Sequence, residues 1–246
     1  MEDMKVFHAA RRLESGERAW AYAVGAMYHV AHGFAADGVD PLCAGDFQKD
    51  MLARDWGIRD RQTLVAQLTE LGAEGHRHSH AARLRYYAMQ WRPAIASIRE
   101  ELRALVRDGD DDAAANLWRL DAVQAGERGI RSSTLLAFDA ARGVMLARAG
   151  LMLDWLTEDE AWSYLVDIAR DVQRSYTSWA AYGADFVLSR DVWRGGSTPD
   201  AFNTAVDMLL HDQASPWVAL PWELPFSTRP LTPVEPDKPM WTLERR

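Results

Sequence analysis

An aspartate and an arginine stand three residues apart in a run that is otherwise almost wholly apolar. They are Asp139 and Arg142, inside LLAFDAARGVMLARAGLML, residues 135–153. On a helix these two positions share a face, together with Leu135 and Leu146. A charge buried beside such neighbours without a partner costs several kcal/mol, so both groups need complementary groups from elsewhere in the chain. Other residue types suit chemistry less well. HRHSH supplies His76, His78 and His80, and on a helix His76 and His80 could share a metal. No third ligand block accompanies them and the HExxH pattern is absent, so solvated or capping histidines are the simpler reading. His29 and His32, three apart in an apolar helix, could also pair on a metal, but a core or rim role is the simpler reading. Ser178 lies outside any GxSxG elbow and suits a helix cap. Cys43, the single cysteine, sits in a loop without a recognisable His or Asn block. No metal and no cofactor is expected.

The elements that must position these residues are helices. Ser15 can cap a helix carrying Trp20, Tyr22, Val24, Met27 and Tyr28, and GVDPLCAGD (38–46) reads as a loop. Asp60 can cap the next helix, whose Leu64, Leu68 and Leu71 are spaced by four and three; Gly72 and Gly75 end it. Leu84, Tyr87, Trp91, Ile95 and Ile98 continue in helical register, with Pro93 kinking that helix or starting a new one. DGDDD (108–112) is a turn whose acids favour the positive end of a following helix. Thr157 and Glu160 form a capping box. Trp179 to Trp193 should be helical and stop at Gly195-Gly196; Thr198-Pro199 restarts the chain and Ala201 to Leu210 is helical. Seven of the ten prolines lie between Pro216 and Pro239, which rules out regular helix there. That tail also holds Trp217, Leu220, Trp222, Leu224, Phe226 and Trp241, so at least 216–226 is expected to pack on the body as an extended strap. The fold class is therefore all-α: an irregular multi-helix bundle with a Pro/Trp-rich C-terminal strap. Its divisions are an N-terminal helical extension (1–50), a helical core (51–215) and the strap (216–246).

Bulk properties narrow the function classes. The chain has 246 residues, 48% hydrophobic and 26% charged, with eleven tryptophans that suit helix seams or a groove wall. A net charge of −8 disfavours a general nucleic-acid binder. One cysteine excludes an internal disulfide and a Cys-based zinc cluster. The opening residues lack a signal-peptide-like apolar stretch, and no segment reaches the ~20 apolar residues of a membrane span. No membrane association and a cytoplasmic location are the default expectations.

Three separated blocks carry a resemblance: DWGIRDRQTLVAQLTELGAEGHR (55–77), FDAARGVMLARAGLMLDWLTEDEAW (138–162) and SWAAYGADFVLSRDVW (178–193). Their order and spacing resemble the bacterial domain of unknown function 1266 over roughly residues 50 to 225. The resemblance implies a mostly helical fold and a set of marked positions: Gly75, His76 and Arg77; Asp139 and Arg142; Ser178, Trp179 and Arg190. This chain departs from the pattern at Phe138, where tryptophan is more typical, and at Asp154 and Ser189, which replace glycines. Position 154 precedes Thr157 in a turn that wants a left-handed residue, and aspartate tolerates that conformation better than most.

The matching blocks offer Arg77, Arg190 and the indole N–H of Trp179 as partners for the central pair. One outcome is a structural ion-pair network that fixes helix register. The other is a pocket in which three arginines outnumber Asp139 and hold a phosphate or carboxylate, with Asp139 or His76 as base. Two function classes follow. In the first, the chain is a non-catalytic intracellular interaction protein that binds another protein, in a toxin-neutralising or effector-associated role. In the second, it is an enzyme or small-ligand binder for an anionic ligand. Trp217 and Trp222 either staple the strap to the core or line a groove for a partner peptide.

Overall fold

The structure, a computed structural model, describes residues 4–9, 12–13, 16–38, 45–197 and 200–226. Among these the secondary structure is helical throughout, with no β-strand and only an isolated bridge between Phe7 and Ala35. The hub is α8, Leu136–Met152, which is buried on nearly every side. Around it pack α2 (Ala26–Ala31), α4 (Arg61–Ala73), α5 (Gly75–Met89), α9 (Glu158–Ser175) and α10 (Trp179–Arg194). The composition of α8 explains why it can take so many neighbours. Ala137, Ala140, Ala141, Ala147 and Ala149 keep its surface low, and Gly143 lets α9 come so close that a Cβ there would meet Ile168 Cδ1 at 2.7 Å.

Several helix ends follow local sequence. Asp60 caps α4 in a reciprocal box with Thr63, and Thr157 caps α9 with Glu160. Pro93 starts a helix rather than kinking one: α5 ends at Met89, and α6 (Arg92–Arg107) carries the proline in its first turn. Asp110 caps α7 (Asp111–Ala125), and Ser178 caps α10, which stops at the left-handed Gly195. Asp154 takes the left-handed conformation, φ 56°, that its turn demands. The first expected helix is broken at Val24-Gly25 into α1 (Glu17–Ala23) and α2, and Gly16 rather than a side chain begins it. Ser15, Cys43 and Thr198-Pro199 lie outside the described residues. Asp200 caps α11 (Ala201–His211).

Among the described residues preceding Met51, α1 and α2 are built into the body. Trp20, Tyr22, Met27 and Val30 join the same hydrophobic cluster as Leu64, Leu146, Leu165 and Phe186. The remaining early helix, α3 (Gly45–Trp56), buries Leu52 in that cluster. A second, smaller cluster joins α5, α6 and α7 through Leu84, Tyr87, Ile95, Leu120 and Val123.

Up to Phe226 the proline-rich tail packs on the core, though it is not wholly extended. Pro216–Ala219 makes one helical turn, α12, capped by Ser215. Proline removes backbone donors but leaves carbonyls, and indole N–H groups take these up. Trp20 Nε1 donates to Pro221 O (3.2 Å) and Trp179 Nε1 to Leu220 O (2.9 Å). Trp217 Nε1 donates in the other direction, to Ala23 O of α1 (2.8 Å). Trp179 and Trp217 stack with centroids 5.2 Å apart, and the Trp20 ring lies tilted against Trp179 at 4.5 Å. Residues 227–246, including Trp241, lie outside the described residues. Trp217→Ala is expected to lower the unfolding free energy by about 3–5 kcal/mol. Urea denaturation checks this, and a wild-type midpoint would place Trp217 outside the core.

Candidate functional site

The helix α5 points its N-terminus at Asp139, which is only 2% exposed. Its first residue, Gly75, has φ +59° and sits so close that a Cβ would lie 2.1 Å from Asp139 Oδ2. Only glycine meets both demands. The Arg77 N–H then donates to Asp139 Oδ2 at 3.0 Å, and the helix dipole favours the carboxylate there. The Arg77 side chain bridges two elements. Nη1 reaches Asp139 Oδ2 (3.3 Å) and Leu71 O (2.7 Å), while Nη2 reaches Gly72 O (2.9 Å). It thereby caps the end of α4 while it neutralises α8. On the other carboxylate oxygen, Arg142 Nη2 donates to Oδ1 at 2.8 Å and also to His76 Nδ1. His76 is therefore an acceptor, a neutral imidazole. Burial first, then the Arg142 charge, holds its pKa below the ordinary value.

Beyond this closed knot, the far side of Arg142 faces a cavity of about 400 Å³. Phe138, Arg142, Met145 and Arg148 descend α8 along its wall, spaced by four, three and three. Tyr28 and His29 come from α2 and His32 from its C-cap, Gln48, Met51 and Trp56 from α3, and Arg190 and Trp193 from α10. Three guanidinium groups lie on aromatic rings: Arg142 on Phe138 (4.4 Å) and Trp56 (5.0 Å), Arg148 on Phe34 (4.9 Å), and Arg190 on Phe202 (4.4 Å). Two carboxylates are each shared by two arginines. Asp139 serves Arg77 and Arg142, and Asp200 serves Arg190 (2.5 Å) and Arg194 (3.0 Å). Among the described residues the lining carries four arginines, Arg54, Arg142, Arg148 and Arg190, against one carboxylate, Asp55, so the wall is positive. Phe47 and Trp193 are exposed at the mouth, whereas Arg142, Arg148 and Phe138 are buried.

The positions marked in the sequence thus divide. The structure brings Asp139, Arg142, Arg77 and His76 together. Arg190 does not join Asp139; it binds Asp200 and enters the cavity wall from the other side. Trp179 also leaves the group, because the strap carbonyl of Leu220 takes its N–H. Asp139 is absent from the cavity lining and both its oxygens are engaged, so it is not placed to act as a base. Trp217 and Trp222 are buried and form no open groove. His80 shares α5 with His76, and among the described residues no group of three or more His, Cys, Asp or Glu could hold a metal. Arg148, Gln48, Trp56 and Phe202 escaped sequence reasoning, which weighed His29 only as a core or rim histidine or half of a metal pair. Arg148 had a local signal, the stripe 138–142–145–148. The others come from two different helices and had none.

The architecture defines an all-helical class in which a central helix carries a buried, arginine-bound aspartate. The family model described as "Protein of unknown function (DUF1266)" matches residues 51–222, and the chain belongs to that family. It is similar to the "Uncharacterized protein YbeR" of Escherichia coli, 29% identical over 151 residues, covering 58% of this chain and 57% of that protein. It is also similar to the "Uncharacterized protein YbeU" of the same organism, 26% identical over 167 residues and 66% of each. The matches thus span less than two thirds of either relative's length. No solved structure matches. Among the described residues no helix is long and apolar enough to cross a membrane.

Gly75→Ala is expected to destabilise the fold by more than the ~1–3 kcal/mol of a strained left-handed residue, because the new methyl also displaces the Asp139 carboxylate. A thermal melt at the wild-type temperature would show that α5 does not seat on Asp139. Acid should also loosen the structure. Burial leads the causes that lower His29, His76 and His80, with His80 pushed down to about 4 from 6.5. The folded state then binds fewer protons than the unfolded chain below about pH 6.5. Stability is full above that value and is lost as pH falls through it towards about pH 4. Melting temperatures should drop between about pH 7 and 5, less so in His80→Gln; a flat wild-type profile there contradicts the assignment.

Proposed function

We propose that the chain binds a small organic anion with a flat apolar body in the cavity beside Arg142. One observation carries this: three arginine heads, each laid on an aromatic ring, converge on one cavity whose wall holds more arginines than carboxylates. Guanidinium forks suit carboxylate and phosphate, and the rings the arginines leave uncovered, Trp193 and Phe47, suit a planar body. The volume of about 400 Å³ falls in the range of ligand sites. His76 stands at the edge as a neutral acceptor held by Arg142. The reading is one of binding. No nucleophile, paired general base or metal cluster among the described cavity residues supports a reaction.

A second reading, in which the chain binds another protein, draws on a different place. Tyr86, Met89 and Trp91 are exposed together where α5 gives way to α6. A contiguous exposed apolar patch of this kind suits a protein contact.

Calorimetric titration tests the first reading with naphthyl phosphate and naphthoate as probes, and with naphthol and inorganic phosphate as controls. The two aromatic anions are expected to bind, and Arg190→Met to weaken them about ten- to a hundredfold, the loss of a charged hydrogen bond. Equal binding of naphthol and naphthyl phosphate would remove the role of the arginines, and failure of both anions would remove the site.

A further inference from the structure

Behind the arginine heads, the most buried part of the cavity wall is polar. His29 and Gln48 both line the cavity and are each 1% exposed. Neither ring nitrogen of His29 has a hydrogen-bond partner among the described residues, and neither has Nε2 of Gln48 or Nε of Arg142. Orphaned buried polar atoms are rare in folded proteins, and each is destabilising. Packing alone would favour leucine at 48 and phenylalanine at 29. The His29 ring already stacks on Tyr22, with centroids 4.5 Å apart, so a phenyl ring would fill the same space. Burial, then the charges of Arg148 and His32, keep His29 neutral, which leaves one ring nitrogen a donor and the other an acceptor. The two residues arrive from α2 and α3, separate helices that meet at one cavity.

We infer that the anion's flat body is a nitrogen heteroaromatic ring, and that Gln48 and His29 are the specificity-determining residues that hydrogen-bond its edge. This rests on the ligand reading above and narrows it. A ring bearing nitrogens or exocyclic oxygens satisfies the amide N–H of Gln48 and the imidazole of His29 while its faces lie along the aromatic lining of the cavity that the arginines leave uncovered, Trp193 and Phe47. A hydrocarbon ring leaves both groups unpaired. A site built to hydrogen-bond its ligand discriminates against an analogue that lacks those atoms, because the buried groups then stay unsatisfied. The two orphaned groups thus weaken the free protein and select the bound molecule.

The full chain is titrated with two matched pairs. Adenosine and guanosine monophosphate are set against naphthyl phosphate, and pterin carboxylate against naphthoate. At least one heteroaromatic anion is expected to bind roughly tenfold or more tightly than its hydrocarbon counterpart. Gln48→Leu and His29→Phe should each reduce heteroaromatic affinity by a similar factor and leave the naphthyl probes unchanged. Both variants should melt at or above the wild-type temperature without ligand. That combination separates a recognition role from a structural one, in which the melt falls and affinities hold. Hydrocarbon probes binding as tightly as every heteroaromatic one, or variants that keep wild-type heteroaromatic affinity, overturn the inference while the anion site stands. If no anion of either kind binds, the anion site falls as well.

Discussion

The seating of an α-helix N-terminus on a buried carboxylate organises this protein. Asp139 lies within the most enclosed helix of the fold, where an unpaired charge would be costly. It is kept there by the N-terminus of α5, by the Arg77 fork and by Arg142. Each contact also fixes something else. Arg77 ties the end of α4 to the start of α5, so the angle between those helices is set by the same group that neutralises α8. Arg142 is turned so that its guanidinium lies on Phe138 and Trp56. The cavity wall therefore inherits its orientation from the ion pair behind it.

The C-terminal segment plays a complementary part at the opposite end of the early helices. Its carbonyls accept from the indoles of Trp20 and Trp179, and Gln173 reaches Trp222 O and Leu224 O. Trp217 returns a bond to the end of α1. These contacts hold α1 against α9 and α10. α2 follows α1 directly, so they also help to place Tyr28, His29 and His32 on the cavity. Packing and polar satisfaction agree across most of the molecule. They part at the cavity, where the ring nitrogens of His29 and Nε2 of Gln48 lack partners among the described residues. Local inconsistency of that kind belongs to sites that serve function more than stability.

Much of the fold was legible because it follows from short-range rules. The caps at Asp60 and Thr157 and the stop at Gly195 are each decided within four residues, whereas Pro93 left a kink and a new helix both open until the structure started α6 there. The break at Val24-Gly25 was not legible, because the apolar pattern runs through it unchanged. At the site, Asp139 with Arg142 announced itself as a charged pair in an apolar run. The meeting of His76 and Arg77 with that pair came from the resemblance between separated blocks. Arg190 and Trp179 were grouped with them by the same resemblance, and the structure sends both elsewhere. A marked position shows that a residue matters in a fold and says nothing of which neighbour it meets.

By itself the sequence determined an all-helical chain, a central helix with charges that required partners, and a proline-rich segment too aromatic to stand in water. Hydrophobic period, caps and the cost of burying charge are local properties, readable in order along the chain. Tertiary structure alone decided that Arg190 pairs with Asp200 and that Trp179 serves the strap. It alone brought His29 and Gln48 to one cavity with Arg142, Arg148 and Arg190. Those outcomes depend on how helices far apart in sequence cross one another. Crossing is set by the fit of side chains over whole faces, which no single stretch of residues contains.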